Sequence, residues 1–119
     1  MQSINITQKF STFSDICTPK IVGQVNDTHI KLVKLVGEFV WHKHEHEDEM
    51  FLVIKGKFTM RLRTGDIELK EGEFFIVPRG VEHCPAAKEE VHIMLIEPAG
   101  TLNTGNVVNE RTVQQLEHI

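Results

Sequence analysis

At 119 residues, with 40% apolar and 25% charged side chains, the chain has the composition of one folded domain rather than of a disordered segment. Its formal charge is −4, from 13 basic and 17 acidic residues interspersed along the chain, so it offers no electrostatic footprint for nucleic acid or an anionic membrane, and a small-molecule ligand is the expected partner. No apolar run approaches the roughly 18 residues that span a bilayer, and the start MQSINITQKF lacks the basic and apolar regions of a secretory signal, so a cytoplasmic location is expected.

Residues 1–27 carry scattered Ile4, Ile6, Phe10 and Phe13 and read as an arm or an added strand. From Thr28 the sequence becomes a series of short runs rich in valine, isoleucine and phenylalanine: THIKLVKLVGEFVW, EMFLVIKGKFTMRLR, GDIELKEGEFFIVPRG and EEVHIMLIEP. Several alternate at period two, which is the pattern of half-buried strands. Lys55-Gly56, Thr64-Gly65-Asp66 and Lys70-Glu71-Gly72 fall between runs, where hairpin turns need positive φ. Short strands without long helical patterns between them predict an all-β sandwich or barrel over residues 28–100. Phe58, Met60 and Leu62 alternate with Thr59, Arg61 and Arg63, giving that strand one core face and one wet face. FLVI and FFIV are apolar on both parities and need cover on both sides, from the barrel or from a second copy, so a homodimer is expected. The extension 101–119 reads as a tail with a short helix near Arg111 to Glu117.

The densest chemistry lies in WHKHEHEDEM. His42 and His44 are two apart at a strand end, so their imidazoles project from one face and can converge on one ion. The acidic run from Glu45 to Asp48 is a natural turn, after which Glu49 can open the next strand with Phe51 and Val53 on its own side. Downstream, GEFFIVPRGVEH ends a strand at Pro78, reverses through Gly80 and delivers His83 toward the barrel interior. Three neutral imidazoles and one carboxylate form a borderline-hard donor set suited to one divalent Fe, Mn, Ni, Co or Zn ion, with about two positions left open in an octahedral shell.

These residues resemble two sequence motifs of the cupin superfamily. Gly37, His42-Lys43-His44, Glu49 and Gly56 match the first motif, and Gly72, Pro78, Gly80 and His83 the second. Gly37 stands one residue closer to His42 than the family pattern places it, and Ala87 occupies a position where many members carry asparagine. Together with LIEPAGTLNTGN, these stretches are similar to small single-domain bacterial cupins, often described as mannose-6-phosphate isomerase-like, across most of the chain. The resemblance implies a double-stranded β-helix, the cupin jelly-roll barrel, of two antiparallel sheets in one domain. It does not choose an activity, because superfamily members include isomerases, epimerases, dioxygenases, lyases and proteins that bind ligands without turnover.

The remaining polar residues read more plainly. His46 shares parity with His42 and His44, but the ligand set is complete without it, so it is a solvated histidine or one supporting the ligands. Cys84 follows His83 and should turn away from the pocket by alternation; Cys17 and Cys84 have no paired spacing and read as free thiols. His92 reads as a wall histidine, Arg61 and Arg63 as solvated charges, Trp41 as a wall or interface residue and Asn103-Thr104-Gly105 as a turn. For proton movement, His46 and His92 are the two candidates the sequence offers. Three functions fit: a metal-assisted isomerase, epimerase or lyase acting on a sugar-like or carboxylate metabolite, an Fe(II)-dependent dioxygenase, or a metabolite-binding module without turnover.

Overall fold

One long strand organises the molecule. In the computed structural model, which describes all 119 residues, β7 (His83–Pro98) runs for 16 residues through the centre of the fold. Along one edge β2 (Thr28–Glu38) pairs antiparallel with it from Thr28↔Pro98 to Glu38↔Ala86. Along the other edge two strands pair in series. β3 (Glu49–Lys55) takes the far half, Met50↔Ile96 to Lys55↔His92, and β4 (Lys57–Leu62) takes the near half, Thr59↔Ala86 to Leu62↔His83.

The pairing explains how one sheet becomes two. Register breaks at both edges of β7: on β2, Leu35↔Val91 is followed by Gly37↔Ala87, and on β3, Val53↔Ile93 is followed by Lys55↔His92. Such bulges bend a strand, and here they fold the sheet over itself. β1 (Lys20–Val25), β2, β7, β3 and β6 (Phe74–Val77) form one antiparallel sheet, while β4, β5 (Ile67–Lys70) and the first half of β7 form the other. Gly56 is thus no hairpin turn. With φ of +89° it carries the chain from β3 straight into β4, and a Cβ there would meet the Glu90 carbonyl oxygen at 3.3 Å. Gly65 does close a hairpin, between β4 and β5, whereas the turn at Gly72 crosses from one sheet to the other.

Alternation then decides which side chains face inward. In β3, Glu49, Phe51 and Val53 are buried and Met50, Leu52 and Ile54 lie on the outer face. In β7, Val91, Ile93, Leu95 and Glu97 are buried. The apolar members join Val33, Leu35, Phe58, Met60, Leu69 and Val77 in one core, each such burial being worth about 1.5–3 kcal/mol. A one-residue slip of β3 would expel Phe51, Val53 and Glu49 together, so the core also fixes the direction of Glu49.

The two termini pack onto the sheet in different ways. The N-terminal residues supply the edge strand β1 and a five-residue helix, α1 (Ile6–Phe10), capped by Asn5 Oδ1 accepting from the Gln8 N–H at 2.9 Å. The helix expected near Arg111 to Glu117 does not form, because its backbone groups are committed elsewhere. Asn103 accepts from Val113 N–H and donates to the Arg111 carbonyl, while Ile21 N–H donates to the Glu117 carbonyl as the chain bridges β1 at His118. Cys17 and Cys84 are both buried free thiols. No helix is long and apolar enough to cross a membrane.

Candidate metal centre

The two histidine-bearing segments are tied backbone to backbone. His42 N–H donates to the His83 carbonyl at 3.0 Å and His83 N–H returns the bond to His42 at 2.9 Å, so both imidazoles leave the same face, with ring centroids 4.2 Å apart. Gly80 N–H donates to the His44 carbonyl at 2.8 Å, and Arg79 N–H donates to Asp48 Oδ1 at 2.8 Å. The acidic run therefore packs on the Pro78–Gly80 turn, and Glu49 follows it into β3. The result brings His42, His44, Glu49 and His83 together, all buried, with one ligand atom from each lying within 4.8 Å of the others.

Hydrogen bonding sets the chemical form of this cluster. His42 Nδ1 lies 2.8 Å from the Val40 carbonyl and His83 Nδ1 lies 3.0 Å from the Val81 carbonyl. A carbonyl only accepts, so each Nδ1 carries the hydrogen and each Nε2 is left with a lone pair. His44 Nε2, His83 Nε2 and Glu49 Oε1 are buried without a hydrogen-bond partner. Glu49 Oε1 faces the two nitrogens at 3.1 and 3.6 Å, without hydrogen-bond alignment. Lone pairs facing one another in a dry site are costly, and a divalent cation between them removes the cost. The residues present therefore fit a metal ion. Burial first, then the His83 ring, lowers His42 to about 4, so its imidazole is neutral at pH 7. Burial works against ionisation of Glu49, yet His44 and His83 hold its carboxyl well below the usual range.

The C-terminal loop braces the ligand segment. Asn106 Oδ1 accepts from Lys43 N–H at 2.9 Å and Asn106 N–H donates to the Lys43 carbonyl at 3.0 Å. Gly105, with φ of +56°, packs so closely that a Cβ would overlap the Lys43 carbonyl oxygen. A sequence reading of this stretch as a turn captures its shape and misses its role in holding the histidines.

Other polar residues fall away from the cluster. His46 is exposed in the acidic loop. His92 is on the outer face of β7, stacked on Phe10 at 4.4 Å with its Nε2 2.8 Å from Glu90 Oε2, so neither candidate for proton movement lines the cavity. Trp41 lies under the guanidinium of Arg63 at 3.7 Å, and Arg61 pairs with Glu38 at 2.6 Å. Cys84 points away from the cavity, and burial, then the charge of Glu38, pushes its thiol up to about 11.

The structure adds residues that the motifs do not contain. A cavity of about 40 Å³ adjoins the cluster, with Val33, Leu35, Phe51, Ile93 and Leu95 as apolar wall and His42, Glu49, Glu97, Asn103 and Cys17 as polar contributors. Glu97 is 2% exposed and its Oε1 accepts from Lys31 Nζ, itself wholly buried, at 2.7 Å. Burial first, and then the Glu49 carboxylate, push the Glu97 carboxyl well above its usual range, against the pull of Lys31. The signal for both was present: Glu97 continues the inward series Val91, Ile93, Leu95, and Lys31 precedes Val33 and Leu35 on theirs.

Comparison with known proteins agrees with this architecture. A family model described as Cupin domain matches residues 32–97. The crystal structure of a cupin-2 domain containing protein from Shewanella frigidimarina is 47% identical, covers 80% of this chain and 93% of its own, and superposes with a TM-score of 0.79. The uncharacterized protein YdbB of Bacillus subtilis is 28% identical over 79 residues, 66% of this chain. A putative dioxygenase of Saccharolobus solfataricus is 28% identical over 94 residues, 76% of this chain. The matched regions span 64% and 24% of the length of these two relatives. With both motifs folded into one bent two-sheet barrel around a buried set of three histidines and a glutamate, the chain belongs to the cupin domain family.

Proposed function

We propose that the chain holds one divalent transition metal ion through His42, His44, Glu49 and His83, and that it acts on a small polar metabolite, sugar-like or carboxylate, in a reaction of the isomerase, epimerase or lyase type. The observation that carries this reading is the convergence of three buried, unpartnered atoms, His44 Nε2, His83 Nε2 and Glu49 Oε1. When bound, the ion supplies a Lewis acid that polarises a carbonyl or hydroxyl oxygen. The chain's own part is to fix the imidazoles by the Val40 and Val81 carbonyls and to exclude water with Val33, Phe51 and Leu95.

A second reading, an Fe(II)-dependent dioxygenase, draws support from the Saccharolobus relative, whose name is putative dioxygenase and specifies no metal. Elemental analysis of protein purified without chelator under nitrogen, followed by an oxygen-consumption trace on a metabolite mixture, separates the two. Near-stoichiometric iron with oxygen uptake favours the dioxygenase. Another divalent metal without uptake favours the first reading, and thermal shifts by metabolites without turnover would reduce it to a binding module. No metal after reconstitution would sink both enzymatic readings.

The proposal includes a homodimer. Edge strand β6 leaves Phe74 59% and Ile76 50% exposed, beside outward-facing Met50 and Leu52 of β3. A second copy laid on this apolar face would cover them. A monomer by sedimentation equilibrium would remove the dimer and leave the metal reading intact.

A further inference from the structure

The cavity reaches the surface at one place. Of the residues that line it, only Phe39 and Asn103 are half-buried and the rest are buried, and both of these touch Arg111 of the C-terminal loop. The Arg111 guanidinium lies over the Phe39 ring at 5.9 Å, and its Nη1 donates to Cys17 Sγ, another wall group, at 3.3 Å. Its backbone is pinned on both sides: the N–H donates to Asn109 Oδ1 and the carbonyl accepts from Asn103 Nδ2, each at 2.8 Å. The loop therefore fixes where this side chain starts without using the side chain itself. What the guanidinium lacks is an anion. Arg61, Arg63 and Arg79 meet the carboxylates of Glu38, Glu82 and Asp48 at 2.6, 3.5 and 3.4 Å. In a chain of net charge −4, the acceptor on the Arg111 side chain is instead a thiol, which accepts weakly. Arg111 is half-buried and none of its nitrogens is buried without a partner, so its other N–H groups are open to solvent at the mouth.

We propose that Arg111 is the specificity-determining residue of the cavity mouth and that its guanidinium binds the carboxylate of the ligand. The assignment rests on the metal reading above for the ligand's other end, and it narrows the class: a carboxylate compound that carries a carbonyl or hydroxyl oxygen several carbons away. The planar fork of an arginine matches a carboxylate with two parallel hydrogen bonds. The separation follows from Phe39, whose ring centroid lies 5.9 Å from Arg111 Cζ on one side and 5.5 Å from that of the His42 ring on the other. A compound whose carboxylate and carbonyl adjoin reaches one end of this span, whereas a longer one reaches both. The carbon chain between the two ends meets the apolar wall of Leu35, Phe51 and Pro85. Charge decides between a carboxylate and a phosphate. One guanidinium balances the single charge of a carboxylate, but a phosphate monoester carries about −1.5 to −2 and would leave charge unbalanced beside Phe39, with the Glu49 carboxylate behind it.

The test titrates metal-loaded protein by calorimetry with levulinate and with pyruvate, each against its methyl ester, and with inorganic phosphate. Wild-type protein should bind levulinate about tenfold or more tighter than its ester, the effect of hydrogen bonds to a charged group, and tighter than pyruvate. Arg111→Met keeps an unbranched stem and both backbone bonds of the loop. It should keep its metal stoichiometry and its ester affinities, and lose most of the preference. Arg111→Lys keeps the charge without the fork and should recover part of it. A metal ion attracts carboxylates without any help from Arg111, so a preference unchanged in Arg111→Met would overturn the assignment. Wild-type protein that prefers neither acid to its ester would overturn it too. Phosphate that binds tighter than either acid, and loses that affinity in Arg111→Met, would overturn the carboxylate class. Wild-type protein that takes up no metal would overturn the metal reading by itself. The same titrations on metal-free protein then decide on Arg111, whose role stands if the preference for levulinate is lost in Arg111→Met and falls if it is not.

Discussion

His83 and His92 occupy the same strand, and the fold makes opposite use of them. His83 faces inward, wholly buried, with Nδ1 bound to a carbonyl and Nε2 turned bare toward Glu49 at 3.6 Å. His92 faces outward, with its ring against Phe10 and its Nε2 on Glu90. The residue type is the same; the parity differs, and so does the cover. On the outer face a histidine finds an aromatic ring and, for its Nε2, a carboxylate from the chain itself. On the inner face the neighbours leave lone pairs pointing at one another, an arrangement that a cation completes. The largest expected effect follows from breaking that asymmetry. His83→Ala should lower metal content at least tenfold, since losing an outer partner of a ligand already costs roughly 10–100-fold, and should remove the thermal stabilisation that added metal gives. Elemental analysis and melts with and without added metal check it, and unchanged stoichiometry would break the assigned site.

The inner face also makes the protein acid-sensitive. His42 is lowered to about 4 in the folded state, from an ordinary value of 6.5 in the unfolded chain. Between those values the unfolded chain binds the proton and the folded chain does not, so stability is complete above pH 6.5 and falls as pH falls toward 4. The loss for metal-free protein reaches about 3 kcal/mol by this group alone. Urea unfolding in chelator at neutral pH and near pH 4.5 measures it. Equal midpoints would mean that the inner face is wetter than its geometry shows.

Parity arguments made much of this legible in the sequence. The alternation in EMFLVIK gave β3 its inward Glu49, and the Pro78 to Gly80 reversal placed His83, because both depend on neighbours along the chain. Gly56 reads as a hairpin turn in the sequence because positive φ is common to a turn and to a bend between sheets; only the pairing of β3 and β4 with the same partner strand tells them apart. The tail reads as helix in the sequence because Asn103 and Ile21, which capture its backbone, are brought to it by tertiary folding, while Asn109 accepts locally from the Arg111 N–H. Lys31 and Glu97 do not stand out in the sequence for a different reason. Charged residues at inward positions of a strand contradict the expectation that such residues are solvated, and their pairing across 66 positions has no local signature.

The brace on the ligand segment can be tested by adding one methyl group. Gly105→Ala would place a Cβ against the Lys43 carbonyl oxygen and 3.0 Å from His42 Cδ2, at a φ of +56° that alanine adopts with strain. A destabilisation of about 1–3 kcal/mol is expected, together with weaker metal binding, because the displaced residue lies between two ligands. Metal affinity that survives while stability falls would show that the loop supports the fold and leaves the histidines to their own backbone bonds.

The smallest effect is expected on the outer face, from His92→Ala. The substitution removes a stacked contact with Phe10, worth about 0.5–1.5 kcal/mol beyond burial, and a hydrogen bond to a carboxylate that is half exposed and adds little. The N-terminal helix should then be held less firmly, since Phe10 is its one buried residue and loses the surface it packs on. Amide exchange in Ile6–Phe10 should accelerate while exchange in the middle of β7 stays slow, and metal content should not change. Loss of metal in this variant would mean that the two faces of β7 are not independent, with the helix reaching the site through the strand. Retained metal beside a locally loosened helix would confine the metal chemistry to inward parity, where the sequence alternation already places it.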